Sequence, residues 1–150
     1  MARFHLTRHS PASPEAVWAA VTDFAAYADW MPLTRMRLDA GQPTPGWGFA
    51  GISGLGPLAF RDSMLVTVWE PPADGAGRFR VVKTGRVLGG WADVTVAPDG
   101  DGTRLDWRED AVVRPLPAKR LFDPLVARGS EWLYGRAIAA MLDRASRAPR

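Results

Sequence analysis

The chain has 150 residues, 47% of them hydrophobic and 23% charged, and this ordinary globular balance predicts one folded domain over residues 1–150 and excludes a disordered chain. It has no cysteine and only two histidines, which excludes disulfides, thiolate nucleophiles, iron–sulfur clusters and sites of three histidines. The formal charge of +3 comes mainly from 17 arginines scattered along the chain, whereas a nucleic-acid surface requires clustered basic residues, so no nucleic-acid partner is expected.

The N-terminal part of the sequence predicts a strand followed by two helices. Residues 3–9 alternate between apolar and polar side chains, as a half-buried strand does. Ser13 is a favourable helix N-cap and Pro14 suits the first helical position, so a helix with an apolar stripe is expected to follow. A second short helix is predicted over residues 24–30, and Pro32 ends it.

The middle of the chain, from residue 35 to residue 113, predicts mainly strands. Segments that alternate or are rich in strand-forming residues are 60–69, 78–83, 91–96 and 103–113. Clusters of proline, aspartate and glycine at 71–75 and 98–102 predict the turns between them. On the last strand, apolar Leu105 and Trp107 share a face with Glu109, and charged residues occupy the other face, so one face of the sheet is expected to be buried.

The C-terminal segment changes to a helical period. Between about residues 118 and 145 the chain is rich in leucine, alanine and arginine, and apolar residues recur on one helical face. Pro124 is expected to mark the point near which the long regular helix begins. Strands and helices are therefore segregated along the chain, which predicts an α+β fold with an antiparallel sheet of about six to seven strands.

Four short segments, in this order along the chain, carry a resemblance to a known superfamily. They are Ser13–Trp18, then Asp23 with Tyr27 and Trp30, then Val68–Pro72, and finally Gly102–Trp107, and the long C-terminal helix completes the set. With this layout the chain resembles the START-like, or SRPBCC helix-grip, superfamily, and within it the polyketide cyclase/dehydrase and lipid-transport branch. The resemblance implies a curved antiparallel sheet that grips the C-terminal helix, two short helices after the first strand, and a cavity, usually apolar, between sheet and helix. Members bind lipids, hormones or polyketides, and some catalyse cyclisation or dehydration.

This implied cavity suggests which side chains contact a ligand. Trp30, Met31 and Met36 follow the second helix, where the cavity of this superfamily tends to open. Glycine-rich residues 46–56 suit a mobile transition between loop and strand, and they lack the glycine order and the lysine of a phosphate-binding loop. The residues predicted to line the cavity are Trp30, Met31, Met36, Phe49, Phe60, Met64, Trp91, Trp107, Phe122, Val126, Leu133 and Ala137.

Three polar residues are candidate catalytic groups inside the same cavity. Asp62 alternates with Phe60 and Met64, Glu109 shares the apolar face of its strand, and Tyr134 lies on the last helix. An inward carboxyl group or hydroxyl can act as a general acid or base.

A structural role for the two acids is the favoured alternative. Each acid would then pair with an inward arginine, for which Arg61, Arg86 and Arg114 are the candidates, or lie at the rim of the sheet. The same arginines could instead hold the acidic head group of a ligand by a bidentate contact.

The two histidines, His5 and His9, have the same parity on the first strand. They are interpreted as a surface pair on an edge strand, because a metal site needs three or more ligands. No metal site and no cofactor are predicted.

Three functions are compatible with these features. The favoured one is the binding of a hydrophobic or aromatic small molecule, lipid-like or polyketide-like, because no assembled catalytic set is visible. The alternative is a polyketide cyclase, aromatase or dehydratase that uses the cavity acids. The third is an interaction module that acts on anionic membranes or nucleic acid through arginines of the last helix. The first four of these arginines are eight residues apart, and this spacing distributes them around the helix instead of along one face. These arginines are Arg120, Arg128, Arg136, Arg144 and Arg147.

The expected partner is therefore a hydrophobic small molecule. The residues after Met1 contain no apolar run of the signal-peptide type, so a cytoplasmic location is expected. No stretch approaches the roughly 20 apolar residues of a membrane-spanning helix, so no stable membrane insertion is expected. Exposed tryptophan or leucine on the last helix would allow a homodimer.

Overall fold

The computed structural model describes residues 2–113 and 119–147, without the side chains of residues 2, 58, 119–128, 130 and 131. Within these residues the chain forms seven strands and three α-helices. The strands are β1 (Ala2–Ser10), β2 (Thr34–Leu38), β3 (Gly48–Ser53), β4 (Phe60–Glu70), β5 (Gly77–Thr84), β6 (Leu88–Asp99) and β7 (Gly102–Val113). The helices are α1 (Pro14–Val21), α2 (Tyr27–Trp30) and α3 (Lys119–Arg147), and short 3-10 turns occupy Phe24–Ala26 and Gly56–Leu58.

The strands form one antiparallel sheet in the order β1-β7-β6-β5-β4-β3-β2. Strands β2 to β7 pair in chain order, and β1 joins the far side of β7, so β1 and β2 are the edges. On β7, Leu105, Trp107 and Glu109 are buried, whereas Arg104 and Arg108 are exposed, as the alternation predicted. The α+β fold, with its antiparallel sheet and long C-terminal helix, is confirmed.

Side chains cap the N-terminal helical elements, and the sequence indicated the first of these caps, Ser13. The Ser13 hydroxyl accepts a hydrogen bond from the backbone N–H of Ala16 at 3.2 Å, and the Asp23 carboxylate accepts one from Ala26 at 3.3 Å. The predicted second helix over residues 24–30 is divided into a 3-10 turn and α2. These two elements direct the chain from α1 across the sheet toward the edge strand β2.

Helix α3 begins at Lys119, five residues before Pro124, so the predicted start of this helix was wrong. A proline inside a helix removes one backbone donor, here the one that would reach the carbonyl of Arg120, and the remaining hydrogen bonds allow the helix to continue. The helix packs against α1 and β1. Of the helices described here, none has the length and apolar composition needed to cross a membrane.

The core between the helices and the sheet is centred on Phe24. Its ring stacks on Phe49 with centroids 4.2 Å apart and meets Phe79 edge-on at 5.8 Å. Trp18 on α1 meets Trp69 at 5.1 Å, so both of these tryptophans belong to the packing of the fold. Burying an aromatic cluster of this kind contributes a large part of the apolar area removed from water.

Candidate functional site

A cavity of about 370 Å³ lies between the inner face of the sheet and the α2–α3 side of the molecule. Ten of the residues predicted from the sequence line it: Met31, Met36, Phe49, Phe60, Asp62, Met64, Trp107, Glu109, Leu133 and Tyr134. The wall also includes residues that were not predicted to line it, among them Phe4, Phe24, Tyr27, Thr34, Phe79, Val81, Lys83, Leu88 and Ala92. The cavity is therefore mainly apolar, with a few polar groups at one place.

The cavity reaches the surface at one end of the sheet. There Phe60, 38% exposed, lines it at the start of β4, and Met31 and Pro32 line it after α2. At the opposite end its wall is made of buried side chains such as Phe79. The open end of the cavity is therefore beside the β3–β4 hairpin, and the closed end is at the core.

Three predicted lining residues take other positions. Trp91 points to the outer face of the sheet, where the Arg80 guanidinium stacks on its ring at 4.8 Å. It points outward because Ala92 and every second residue from it along β6 occupy the inward face. Trp30 packs against the core from α2, and Ala137 is buried in the core from α3. Neither is among the described residues that line the cavity. Two more predictions, Phe122 and Val126, concern side chains outside the described part of α3.

The polar end of the cavity is a cluster of three buried charges. The Lys83 Nζ atom lies 2.7 Å from Asp62 Oδ2 and 3.3 Å from Glu109 Oε1. The Trp107 indole N–H donates to Glu109 Oε2 at 3.2 Å. All three charged residues are at most 9% exposed. We call Asp62, Lys83 and Glu109 the charged cluster.

Small residues on β6 allow this cluster to form across the sheet. Lys83 on β5 is opposite Gly90, and Glu109 on β7 is opposite Ala92. The long side chains of Lys83 and Glu109 therefore meet above β6 instead of being separated by a bulky side chain. Gly90 has φ +116°, and a Cβ atom there would lie 1.8 Å from the carbonyl oxygen of Asp110, so glycine is required.

The protonation states of Lys83 and of two neighbouring tyrosines follow from burial and charge. Burial opposes the ammonium form of Lys83, but the negative charges of Tyr134 when ionised, of Glu109 and of Asp62 outweigh it, and the pKa of Lys83 is raised above its ordinary value. Burial, and then the charge of Glu109, raise the pKa of Tyr134. Burial also raises the pKa of Tyr27, whose hydroxyl donates to the Val21 carbonyl at 2.6 Å. At neutral pH, Lys83 is thus an ammonium donor and both tyrosines are uncharged.

The two acids form the structural pairs that were the favoured alternative, but with a lysine, and neither Arg61 nor Arg86 pairs with them. Arg61 is exposed and donates to the Ser63 hydroxyl at 3.0 Å, Arg86 is exposed, and Arg114 lies outside the described residues. Lysine supplies the positive charge instead. Its signal in the sequence was the alternation of Phe79, Val81 and Lys83 on β5, which places Lys83 on the inward face.

The histidines lie on the edge strand β1, as predicted. His5 lies 3.3 Å from Asp106 and His9 lies 2.8 Å from Asp99, and both imidazoles are at least half exposed. Within the described residues, no group of three histidine or acidic side chains is arranged to hold a metal ion.

The described arginines of α3 engage separate local partners. Arg136 stacks on Trp132 at 5.0 Å, Arg147 pairs with Asp143 at 2.6 Å, and Arg144 lies 3.9 Å from Asp23 on another element. The side chains of Arg120 and Arg128 lie outside the described part. These contacts give no support to a single basic stripe on this helix.

Residues 1–145 match the protein family described as "Polyketide cyclase / dehydrase and lipid transport". No curated protein matches the sequence at a significant level. The family match covers nearly the whole chain and confirms the resemblance drawn from the sequence motifs.

Solved structures share the fold at low sequence identity. An aromatase/cyclase, Zhui, from Streptomyces sp. R1128 has a TM-score of 0.72 and 15% identity, with 97% of this chain and 93% of that chain covered. A STAR-related lipid transfer protein from Xanthomonas axonopodis has a TM-score of 0.69 and 20% identity, with coverages of 94% and 85%. A START superfamily protein from Mycobacterium smegmatis has a TM-score of 0.69 and 18% identity, with coverages of 95% and 97%. At these identities the similarity shows a common fold.

Proposed function

The chain belongs to the polyketide cyclase/dehydrase and lipid transport family, and from this premise we propose that it binds a hydrophobic or aromatic small molecule, lipid-like or polyketide-like, between the sheet and α3. The observation that carries the proposal is the cavity of about 370 Å³, because its size falls in the range of ligand pockets and its wall is apolar with few polar groups. Side chains such as Met36 and Met64 can adapt to the shape of an apolar ligand.

A cavity-filling variant tests this proposal. Gly51 lines the cavity, and a Cβ atom there would make ordinary contacts with Thr34 and Met36 at 3.6 and 3.7 Å. Gly51→Leu therefore places a side chain in the cavity at little cost to the backbone. Gly75→Leu is the matched control, because a Cβ atom at Gly75 meets nothing within 4 Å.

The assay is the fluorescence increase of N-phenyl-1-naphthylamine, an uncharged probe that emits strongly in apolar surroundings. We expect saturable enhancement with the wild type and with Gly75→Leu, and a loss of at least about tenfold in affinity with Gly51→Leu, since the added side chain occupies the probe's volume. Equal enhancement by Gly51→Leu and the wild type would show that the probe binds elsewhere and would overturn the proposal. Native mass spectrometry of the protein purified from its own host would then identify a co-purified ligand.

A second candidate function, as a cyclase or dehydratase, is favoured by one observation. Asp62, Glu109 and Tyr134 line a common cavity with an ammonium group, and these are the groups that proton abstraction beside a carbonyl and stabilisation of the resulting enolate oxygen require. Both acids converge on the Lys83 Nζ atom, so their proton-accepting oxygens are partly engaged in ion pairs. This engagement makes ligand binding the first proposal and catalysis the alternative.

A minimal substrate separates the two functions. Intramolecular aldol condensation of 2,6-heptanedione yields 3-methylcyclohex-2-enone and one water, and the product is followed by its ultraviolet absorbance. Catalysis predicts a rate above buffer that falls in Asp62→Asn and in Glu109→Gln and is unchanged in Gly75→Leu. If the wild type binds the probe but does not accelerate this reaction, the binding proposal stands and acid–base catalysis of this substrate is excluded.

A further inference from the structure

We infer that the cavity selects uncharged ligands with a carbonyl or hydroxyl oxygen and discriminates against carboxylates; the inference rests on the proposed function, which it deepens by naming the ligand class. The charged cluster contains two carboxylates and one ammonium, so its formal charge is −1. The other titratable groups that line the described part of the cavity are the tyrosines Tyr27 and Tyr134, which are uncharged at neutral pH. A ligand carboxylate would therefore bring a second net negative charge into an apolar space.

The free hydrogen-bonding groups at the polar end favour an acceptor oxygen on the ligand. Lys83 has three N–H groups, of which one faces Asp62 and one faces Glu109. The third N–H faces the Tyr134 hydroxyl oxygen, so the O–H of Tyr134 is the donor that these groups present to a ligand. The Trp107 indole N–H is engaged by Glu109, and the Tyr27 hydroxyl is engaged by Val21. A ketone, phenol or alcohol oxygen accepts such a donor without adding charge.

The cluster already has more hydrogen-bond acceptor atoms than donors to pair with them. Asp62 Oδ1 is buried and has no hydrogen-bond partner among the residues that the structure describes. A ligand carboxylate would add two more acceptor oxygens, and it would compete with Asp62 and Glu109 for the one ammonium of the described cluster. At an effective dielectric constant of about 20, the repulsion from two carboxylates about 5–6 Å away slightly exceeds the attraction to one ammonium about 3 Å away, which weakens the affinity severalfold, and the lost hydration of the ligand carboxylate weakens it further.

The same argument predicts that neutralising the acids reverses the preference. Glu109→Gln brings the formal charge of the cluster from −1 to zero, and Asp62→Asn does the same. The double variant leaves Lys83 as an isolated ammonium, for which a carboxylate is the complementary partner. Asp106→Asn is the matched control, because Asp106 lies three residues from Glu109 on the outward face of β7.

The experiment measures displacement of N-phenyl-1-naphthylamine at pH 7 by decanoate, decan-2-one and decan-1-ol, which share a ten-carbon chain. Thermal unfolding of each variant confirms that it is folded. We expect the wild type and Asp106→Asn to bind decan-2-one or decan-1-ol at least about tenfold more tightly than decanoate. We expect this ratio to shrink in each single variant and to invert in the double variant.

The outcomes separate this inference from the function on which it rests. Displacement by all three compounds with equal affinity, or a ratio unchanged by Glu109→Gln, would overturn the charge selectivity and leave ligand binding intact. Preference of the wild type for decanoate would likewise overturn it. Failure of the wild type to bind the probe would overturn the proposed function itself, and the inference with it.

Discussion

Replacing Lys83 by methionine removes the positive charge of the cluster and keeps most of the side-chain volume. The two carboxylates both contact the Nζ atom, at 2.7 and 3.3 Å, so their nearest oxygens are at most about 6 Å apart. Without the ammonium, their repulsion is about 3 kcal/mol at an effective dielectric constant of about 20. Breaking a buried ion pair by removing one partner costs about 3–5 kcal/mol in general, and the structure places Lys83→Met in this range.

The assay is equilibrium unfolding by urea at pH 7, followed by tryptophan fluorescence. Arg147→Met is the control, because Arg147 pairs with Asp143 at 2.6 Å on the exposed surface of α3. An exposed helical pair contributes about 0.3–0.5 kcal/mol, so this variant is expected to unfold almost as the wild type does. Lys83→Met combined with Glu109→Gln is expected to recover a large part of the loss, since one carboxylate then remains.

A decrease of less than about 1 kcal/mol in the free energy of unfolding of Lys83→Met would contradict this prediction, because removing a buried ammonium from between two carboxylates should cost more than that. Equal stability of the single and the double variant would also contradict it. In that case the two carboxylates do not repel each other, and the charge argument for ligand selectivity fails with it.

Two further predictions concern acid stability and the sheet backbone. The hydrogen bond from Arg78 is the largest cause that holds the pKa of Asp93 below its ordinary value of 3.8. The stabilisation that ionised Asp93 gives the fold is therefore present above pH 3.8 and is lost as the pH falls through the lower pKa of the folded state. We expect Asp93→Asn to flatten the decrease in melting temperature between about pH 5 and 2. Gly90→Ala should prevent folding or lower the free energy of unfolding by more than about 4 kcal/mol, because its Cβ atom would clash with the Asp110 carbonyl. Gly100→Ala, at φ +58° and with open space around the Cβ atom, should lower it by about 1–2 kcal/mol. Circular dichroism and urea unfolding measure both effects.

The elements predicted correctly are those encoded by local signals. Ser13 and Pro14 define the start of α1 through a side-chain cap and a fixed backbone angle, and both act within one helical turn. Alternation on β7 needs only neighbouring residues to show one buried face. The start of α3 was misplaced because the helix tolerates Pro124 in its interior, and such tolerance depends on the rest of the helix and its packing, which local sequence rules do not include.

Ten of the residues proposed from the sequence line the cavity, but the ion pairs among them were not predicted. Period-two patterning assigned Asp62 and Glu109 to an inward face, yet it does not tell which cation meets them, since Lys83 is 21 residues from Asp62 in sequence. Trp91 was predicted to line the cavity. The structure reverses this choice, because the inward positions of β6 must hold small residues for Lys83 and Glu109 to meet.

The charged cluster contributes little net stability to the sheet, because burying its three charges costs free energy. Buried ion pairs of this kind are often no more stable than apolar residues of the same volume, because desolvation offsets the Coulombic attraction. Here the cost is increased by an unequal count of charges and by the Asp62 Oδ1 atom, which has no partner within the described part of the chain. The cluster lies where three strands and α3 converge on an apolar cavity that opens to the surface. The role proposed for the cluster, which is to orient the oxygen atom of a ligand, accounts for a polar group that is kept in that position despite its cost to the fold.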